Sequence, residues 1–316
     1  MTDFPTLSLA QLERGDDRAR DALAEAAADW GFFRLVDHGI EATRQARFMA
    51  TTAAFFDQPH EEKLRYSRSE ENPWGYFDRE LTKNRQDWKE IFDLGRDVQD
   101  GEYNSSTPWP NRPDDFTEVM LNWYDVCEAI SLKLIRALCQ SLNLPADSLE
   151  AHFKPSNSSF LRLNHYPVCK TPADATEEFP DVGNLGIYHH TDAGAVTVLL
   201  QDGVTGLQVR HRGQWVTVPA DTESLIINIG DLIQVWSNNR FVAPLHRVLA
   251  SDSSDRYSAA FFMNPSFATD CIPLGTDSPR YRAVNWGDFR GSRAAGDYAD
   301  LGEEVQITDY RLPGAA

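Results

Sequence analysis

The sequence between residues 159 and 267 is a series of short apolar stretches separated by turn residues. The stretches are residues 160–166, 197–200, 207–209, 215–218, 225–229, 233–236, 247–249 and 257–262. Pairs such as Asp202-Gly203 and Asn238-Asn239 lie between them and favour tight turns. Short strands at this spacing predict an all-β sandwich or barrel, and a jelly roll can hold a ligand at its open end. Strands and helices do not alternate here, so a parallel α/β sheet is not expected.

Helices are predicted to flank this β region. Helical patterns cover residues 8–30, 42–56 and 116–142, and a strand-like stretch covers residues 32–36. The longest pattern has apolar residues at three-and-four spacing, which predicts a scaffold helix packed on one side of a sheet. Residues 66–113 look irregular except for a strand-like stretch at 87–94. The fold class expected is therefore mainly β with flanking helices.

Charge and composition exclude several classes of function. The chain has 30 Lys+Arg against 48 Asp+Glu, a net charge of -18, so binding to nucleic acid or to an anionic membrane is not expected. No apolar run reaches the roughly 18 to 20 residues that a membrane-spanning helix needs. The N-terminus lacks the basic and apolar segments of a signal peptide. The four cysteines show no C-x-x-C spacing, so we expect reduced thiols and a cytoplasmic protein.

Three residues of the β region have the chemistry of a metal site. His190 and Asp192 are two residues apart, so on a strand both side chains lie on one face. His246 begins a later strand and can supply the third ligand. Two imidazoles and one carboxylate form the facial triad of non-haem iron oxygenases. An isolated His38 beside a glycine turn has no partner at ligand spacing, so we expect a structural role for it.

A second set of polar residues suits a dicarboxylate. Arg256 and Ser258 are also two residues apart, and a guanidinium fork beside a hydroxyl matches the distal carboxylate of such a ligand. Asn164 and Tyr166 have the same spacing on another predicted strand and can add polar contacts. Together the two sets predict a metal and an organic acid in one site.

These motifs, in this order, resemble the isopenicillin N synthase-like branch of the 2-oxoglutarate and iron(II)-dependent dioxygenases. The resemblance covers nearly the whole chain. It includes residues 31–40, 75–76, 87–90, 164–167, 190–192, 206–209, 228–231, 246–248 and 256–258. It implies a distorted double-stranded β-helix, a cupin-like jelly roll, in which His190, Asp192 and His246 bind Fe(II). It also implies that Arg256, Ser258 and Tyr166 hold 2-oxoglutarate.

The resemblance also implies a division of the chain and a reaction. Residues 1–115 are the N-terminal mixed region, 116–158 the scaffold helices, 159–267 the catalytic core and 268–316 a tail packed near the pocket. Oxygen and 2-oxoglutarate would be consumed, with ascorbate as a stimulant, and succinate and carbon dioxide released. The expected product is a hydroxylated small metabolite of secondary metabolism, with desaturation or ring closure as variants. Two alternatives stay open: a family oxidase that uses no 2-oxoglutarate, and a non-catalytic cupin-like binding protein.

The substrate cannot be identified from the sequence, and neither can the oligomeric state. Candidate pocket residues are Tyr76, Phe77, Lys83, Arg85, Arg162, Ile187, Trp236 and Phe262. Phe262 shares a face with Arg256 and Ser258 by strand alternation, and Arg162 is in phase with Asn164. The tail from Tyr281 to Arg311, with Trp286, Phe289, Tyr298 and Tyr310, is expected to fold over the pocket mouth.

Overall fold

Two β-sheets face each other and enclose a cavity in the computed structural model. The structure describes residues 4–69, 71–96, 98–100, 103–296, 302 and 304–314, with backbone alone at 98–100 and 103–105. The larger sheet has eight strands and the smaller has four. This is the predicted mainly β architecture with helices on the outside.

The larger sheet combines strands from both halves of the chain. Its strands are β1 (Thr6–Ser8), β2 (Phe32–Val36), β3 (Gly75–Phe77), β6 (Glu90–Gly95), β9 (Phe160–Tyr166), β11 (Val196–Gln201), β14 (Leu225–Ile229) and β16 (Arg256–Met263). Their order is β1-β2-β14-β11-β16-β9-β6-β3. Two short hairpins, β4 (Leu81–Thr82) with β5 (Arg85–Gln86) and β7 (Val98–Asp100) with β8 (Tyr103–Ser105), form separate two-stranded sheets. Strand β6 agrees with the strand-like stretch predicted at 87–94, whereas β3 lies in the part of residues 66–113 that looked irregular.

The smaller sheet positions two of the predicted metal ligands. Its order is β10-β15-β12-β13, with β10 (Leu185–His190), β12 (Leu207–His211), β13 (Gln214–Thr217) and β15 (His246–Leu249). His190 ends β10 and pairs with His246, the first residue of β15. The two predicted histidine ligands are thus brought together by one antiparallel register.

Helices cover the outer face of the larger sheet. They are α1 (Leu9–Glu13), α2 (Asp17–Asp29), α3 (Ala42–Phe56), α4 (His60–Leu64) and α5 (Phe116–Ser141). The Ser8 side chain caps α1 as expected, but Gly15, with φ of +71°, divides the predicted first helix into two. The scaffold helix α5 buries the apolar stripe that predicted it, and Trp123 of α5 stacks on Phe48 of α3 with ring centroids 4.4 Å apart.

One predicted strand is a helix. Residues 233–236 were expected to be extended, but they belong to α6 (Asp231–Trp236). Every residue of α6 is buried. A short apolar run without an exposed face shows neither the helical nor the strand period, so its sequence does not distinguish a helix from a strand. The helix begins after Gly230, where a Cβ would lie 2.2 Å from the carbonyl oxygen of Gly194. Glycine is needed there because two backbones meet closely.

Three elements and a 3-10 turn complete the C-terminal part of the chain, and one of them, α7 (Trp286–Gly296), lines the cavity. The others are β17 (Asp270–Cys271), β18 (Val284–Asn285) and the 3-10 turn at Ile307–Tyr310. His38 lies elsewhere, with Nε2 2.9 Å from the carbonyl oxygen of Glu223, which agrees with a structural role. The described helices include none long and apolar enough to cross a membrane. The four-part division of the chain stays a prediction.

Candidate active site

The three predicted metal ligands converge between the two sheets. Asp192 Oδ1 lies 3.7 Å from His190 Nε2 and 3.5 Å from His246 Nε2. One ligand atom from each residue lies within 4.8 Å of the other two. This spacing allows all three atoms to coordinate one ion on one of its faces.

Neighbouring groups orient each ligand for coordination. His190 Nδ1 lies 2.8 Å from the Tyr188 carbonyl oxygen, and His246 Nδ1 lies 3.3 Å from that of Pro244. Because a carbonyl only accepts hydrogen bonds, we assign the imidazole proton to Nδ1 and the free lone pair to Nε2. Both Nε2 atoms face Asp192, as a metal site requires.

The carboxylate is held by two residues that were not among the predicted ligands. Thr197 Oγ1 donates to Asp192 Oδ2 at 2.5 Å, and Asn228 Nδ2 donates to the same oxygen at 2.7 Å. These bonds occupy Oδ2, and Oδ1 faces the two histidines. Asn228 belongs to a motif of the resemblance, whereas Thr197 carried no sequence signal of its own.

The protonation states also suit a metal. Burial, and then the neighbouring His246, lowers the pKa of His190 to about 3, so its imidazole is neutral near pH 7. Burial alone would raise the pKa of Asp192, but His246, His190 and Asn228 outweigh it and hold that pKa well below its ordinary value. A neutral imidazole and an ionised carboxylate are the forms that bind a metal ion. The donor set therefore fits Fe(II).

The predicted organic-acid site lies at one end of the cavity. Register pairs Arg256 with Tyr166 and Ser258 with Asn164 on β16 and β9. The Arg256 guanidinium lies 4.8 Å from the Tyr166 ring centroid, and only 2% of the residue is exposed. Its Nε donates to the Val204 carbonyl oxygen at 3.2 Å. The four predicted residues thus share one end of the cavity.

Two polar atoms at this end are buried without partners among the described residues. They are Arg256 Nη1 and Asn164 Oδ1. Arg256 Nη2 donates to Gln201 Oε1 at 2.9 Å, so the guanidinium is fixed in place while Nη1 keeps its donors. An unpaired buried guanidinium nitrogen is costly unless a ligand accepts from it. This site therefore fits a carboxylate.

The opposite end of the cavity is aromatic. Phe160 and Phe262 stack with ring centroids 4.7 Å apart, and both line the cavity. They lie six residues along the strands from Tyr166 and Arg256, roughly 20 Å at about 3.3 Å per residue. The cavity is thus elongated, with a polar end for an acid and an aromatic end for another group.

A cluster of three carboxylates and three cations, called here the charge cluster, contributes to one wall. Its members are Glu80, Asp87, Asp93, Arg68, Lys89 and Arg162. Lys89 Nζ lies 2.7 Å from Glu80 Oε2 and 3.0 Å from Asp87 Oδ2. Burial would raise the pKa of Glu80, but Arg162, Lys89 and Arg68 outweigh it and lower that pKa. The cluster is buried and its charges balance.

Three of the predicted substrate residues line the cavity. Ile187, Phe262 and Arg162 face it, although Arg162 also pairs with Asp93 Oδ2 at 2.7 Å. Arg162 is therefore held in the charge cluster. The cavity wall also includes Lys89 and Glu80, which the sequence did not single out as site residues.

Five predicted substrate residues are not among those that line the cavity. They are Tyr76, Phe77, Lys83, Arg85 and Trp236. Tyr76 is buried and donates to Glu90 Oε2 at 2.5 Å, and Phe77 lies 4.0 Å below the Arg68 guanidinium. Trp236 stacks on His152 because α6 turns it away from the predicted strand face.

The other two, Arg85 and Lys83, contact other side chains and do not line the cavity. Arg85 stacks on the Tyr188 ring at 4.4 Å and donates to the Pro180 carbonyl oxygen. Lys83 Nζ lies 3.4 Å from Glu304 Oε2, and Glu304 itself lines the cavity. Lys83 therefore contacts a cavity residue without lining the cavity.

The C-terminal segment supplies part of the cavity wall. Trp286, Arg290 and Arg293 of α7 line it. Phe289 is buried in the core, and Tyr310 packs against it at 5.7 Å between ring centroids. Tyr298, also expected at the mouth, lies outside the described residues. The segment thus packs beside the cavity, while Phe289 and Tyr310 pack against each other and are not among the lining residues. A lid over the pocket mouth stays a prediction.

Comparison with known proteins identifies the family. A family model described as the 2OG-Fe(II) oxygenase superfamily matches residues 157–265. A second, described as the non-haem dioxygenase in morphine synthesis N-terminal region, matches residues 4–113. Jasmonate-induced oxygenase 2 from Arabidopsis thaliana is 32% identical over 302 residues, covering 92% of this chain and 78% of the relative. Gibberellin 3-beta-dioxygenase 2-2 from Triticum aestivum is 32% identical over 295 residues, covering 88% of this chain and 76% of the relative.

Solved structures agree with this result. The crystal structure of JOX2 in complex with 2OG, Fe and JA has a TM-score of 0.83 and 29% identity, covering 99% of this chain and 90% of that one. A full-length Neurospora crassa protein in complex with alpha-KG has a TM-score of 0.80 and 25% identity, covering 92% and 95%. These likenesses confirm the double-stranded β-helix and the use of Fe(II), 2-oxoglutarate and O2. The chain belongs to the 2OG-Fe(II) oxygenase superfamily and is an Fe(II)- and 2-oxoglutarate-dependent dioxygenase.

Proposed function

We propose that His190, Asp192 and His246 bind the iron. The observation that supports this most directly is the convergence of one ligand atom from each within 4.8 Å, with both Nε2 atoms facing Asp192 Oδ1. When bound, Fe(II) supplies the oxidising chemistry that couples 2-oxoglutarate decarboxylation to attack on a substrate C–H bond. Thr197 and Asn228 keep the carboxylate aimed at the ion.

Arg256, Ser258, Tyr166 and Asn164 form the 2-oxoglutarate site in this proposal. Arg256 Nη1 and the Ser258 hydroxyl bind the distal carboxylate, because both residues line the cavity and Nη1 has no acceptor among the described residues. The apolar residues Leu207 and Val248 line the same cavity. An apolar lining excludes water and strengthens the charge-assisted bonds to the acid.

The substrate proposed is a small metabolite that is hydroxylated, with desaturation or ring closure as variants of the same chemistry. The stacked pair Phe160 and Phe262 offers an apolar surface for its body, and the charge cluster offers polar contacts. Related structures hold small molecules: JOX2 was solved with JA, and the Neurospora crassa protein with thymine. Neither nucleic acid nor membrane is a proposed partner. A role in secondary metabolism stays a prediction.

A cytoplasmic location also stays a prediction. The four cysteines, Cys127, Cys139, Cys169 and Cys271, are all free and buried, which agrees with a reducing compartment. Fractionation of the producing cells, with immunodetection of the protein in each fraction, measures the location directly.

Succinate formation from 2-oxoglutarate tests the proposed function. Purified protein with Fe(II), ascorbate and oxygen is screened against small metabolites, and each candidate that raises succinate is followed to its oxidised product. The Asp192→Ala variant should lose both metal binding and succinate formation, whereas the exposed Asp181, replaced by alanine, should keep both. Iron-dependent turnover that persists in Asp192→Ala would falsify the ligand assignment.

A further inference from the structure

We infer that Arg293 of α7 is a positioning residue that fixes the Thr191 peptide between two of the proposed metal ligands, in the segment of residues 190–192 at the end of β10, called here the metal loop. Its Nη2 donates to the backbone carbonyl oxygen of Thr191 at 3.0 Å. Thr191 lies between His190 and Asp192, so its peptide group sets the relative position of both ligands. A side chain from the C-terminal segment thus holds the centre of the metal site.

The other half of the guanidinium is anchored further along the chain. Arg293 Nη1 donates to Gln306 Oε1 at 3.2 Å and lies 3.5 Å from the Val305 carbonyl oxygen. Gln306 is fixed in turn, because its backbone N–H donates to Asp309 in a capping box. Arg293 therefore joins the metal loop to two parts of the C-terminal segment.

The Thr191 side chain shows that this loop is held from two directions. Its hydroxyl donates to Asp231 Oδ2 at 3.2 Å, and the backbone N–H of Asp231 donates to the Asp192 carbonyl oxygen at 2.8 Å. These contacts fix the side toward α6, and Arg293 fixes the side toward α7. Removal of Arg293 leaves the Thr191 residue held from α6 alone, so the peptide between the two ligands can shift and carry them away from the coordinating geometry.

This role differs from binding substrate. Both terminal nitrogens of Arg293 donate to protein acceptors, and its contact with Thr191 lies one residue from each proposed ligand. Partners that orient metal ligands typically contribute about 10-fold to 100-fold to metal affinity. The expected effect of losing Arg293 is therefore weaker metal binding.

Single substitutions test the inference better than truncation. Cutting the chain after Arg280 would remove Trp286 and Phe289, which are 1% and 0% exposed, and would damage the core itself. Arg293→Gln shortens the side chain so that it cannot reach both partners, and Arg293→Lys keeps the charge. Arg282→Gln is the matched control, because Arg282 Nη2 donates to the Asp309 carbonyl oxygen at 3.3 Å but does not contact the metal loop.

The measurement is the dissociation constant of Mn(II) by calorimetry without oxygen, together with the melting temperature of each metal-free variant. Arg293→Gln should bind Mn(II) about 10-fold to 100-fold more weakly than the wild type, Arg293→Lys should recover part of the loss, and Arg282→Gln should bind normally. The metal-free melting temperature of each variant checks that it is folded at the temperature of the titration. The charge-transfer absorption of the Fe(II)–2-oxoglutarate complex should be weakened or shifted only in the Arg293 variants.

The inference rests on the proposed metal ligands, but the measurement distinguishes a wrong ligand assignment from a wrong role for Arg293. Wild-type protein that does not bind Mn(II) overturns the ligand assignment and the inference with it. Wild-type protein that binds Mn(II) while Arg293→Gln binds it equally well overturns the inference alone. An equal loss of affinity in Arg282→Gln would also overturn it, since the effect would then belong to the C-terminal segment in general.

Discussion

Replacing Arg256 with glutamine should weaken 2-oxoglutarate binding about a hundredfold. The wild-type guanidinium uses Nε on Val204 and Nη2 on Gln201, which leaves Nη1 for the ligand. A hydrogen bond to a charged group contributes about 1.5 to 3 kcal/mol, and a buried carboxylate can accept two from the guanidinium. A loss of about 3 kcal/mol corresponds to about a hundredfold in the dissociation constant.

The assay is calorimetric titration of 2-oxoglutarate into Mn(II)-loaded protein without oxygen. Arg256→Lys keeps the charge but loses the fork, so it should lose about tenfold, and Ser258→Ala should lose a similar amount. Mn(II) affinity should be unchanged in all three variants, because neither Arg256 nor Ser258 is among the proposed metal ligands. A folded Arg256→Gln variant that binds 2-oxoglutarate within about threefold of the wild type would refute the assignment, since that is below about 1 kcal/mol.

Three further predictions concern the charge cluster and the carboxylate ligand. Lys89→Met leaves Glu80 and Asp87 buried without their shared cation, so the free energy of unfolding in urea should fall by about 3 to 5 kcal/mol; a fall below about 1 kcal/mol would contradict the pairing. Burial raises the pKa of Asp87 to about 6, although Lys89 opposes the rise. Because the pKa of Asp87 is higher in the folded state than the ordinary 3.8, its protonated form stabilises the folded protein. This stabilisation is fully present below pH 3.8, is lost as the pH rises through about 6, and amounts to roughly 3 kcal/mol. Asp87→Asn should remove this pH dependence. The free energy of unfolding in urea is measured for both proteins across this pH range, and a difference between them that does not change with pH would argue against the raised pKa of Asp87. Thr197→Val removes one hydrogen bond to Asp192 Oδ2, so Mn(II) affinity should fall about tenfold; unchanged affinity in calorimetry would show that Asn228 alone suffices.

The side-chain placements that could be predicted from the sequence are those that depend on local periodicity. Alternation along β16 placed Arg256, Ser258 and Phe262 on one face, and all three line the cavity. The same alternation on β9 placed Asn164 and Tyr166 on one face, and both line the cavity. A period of two residues is visible in any single strand, so no knowledge of the neighbouring strands was needed.

The parts that could not be predicted depend on contacts between distant segments. Asn228 reaches Asp192 from 36 residues away because β14 lies beside β11 in the large sheet, and no local pattern encodes that order. Trp236 was assigned to the pocket from an apolar run whose period was hidden by complete burial. Tyr76 was placed there as an aromatic residue of the region that looked irregular, yet its ring belongs to the core. Arg293 lies in α7, and its contact with Thr191 joins positions 102 residues apart, which no local pattern predicts.

Anomalous diffraction from crystals soaked with Mn(II) and 2-oxoglutarate without oxygen locates both the metal and the co-substrate. We expect one strong metal peak within about 2.0 to 2.3 Å of His190 Nε2, His246 Nε2 and an Asp192 oxygen, with the distal carboxylate of 2-oxoglutarate on Arg256. A metal peak elsewhere, or a 2-oxoglutarate carboxylate away from Arg256, would contradict the proposed site.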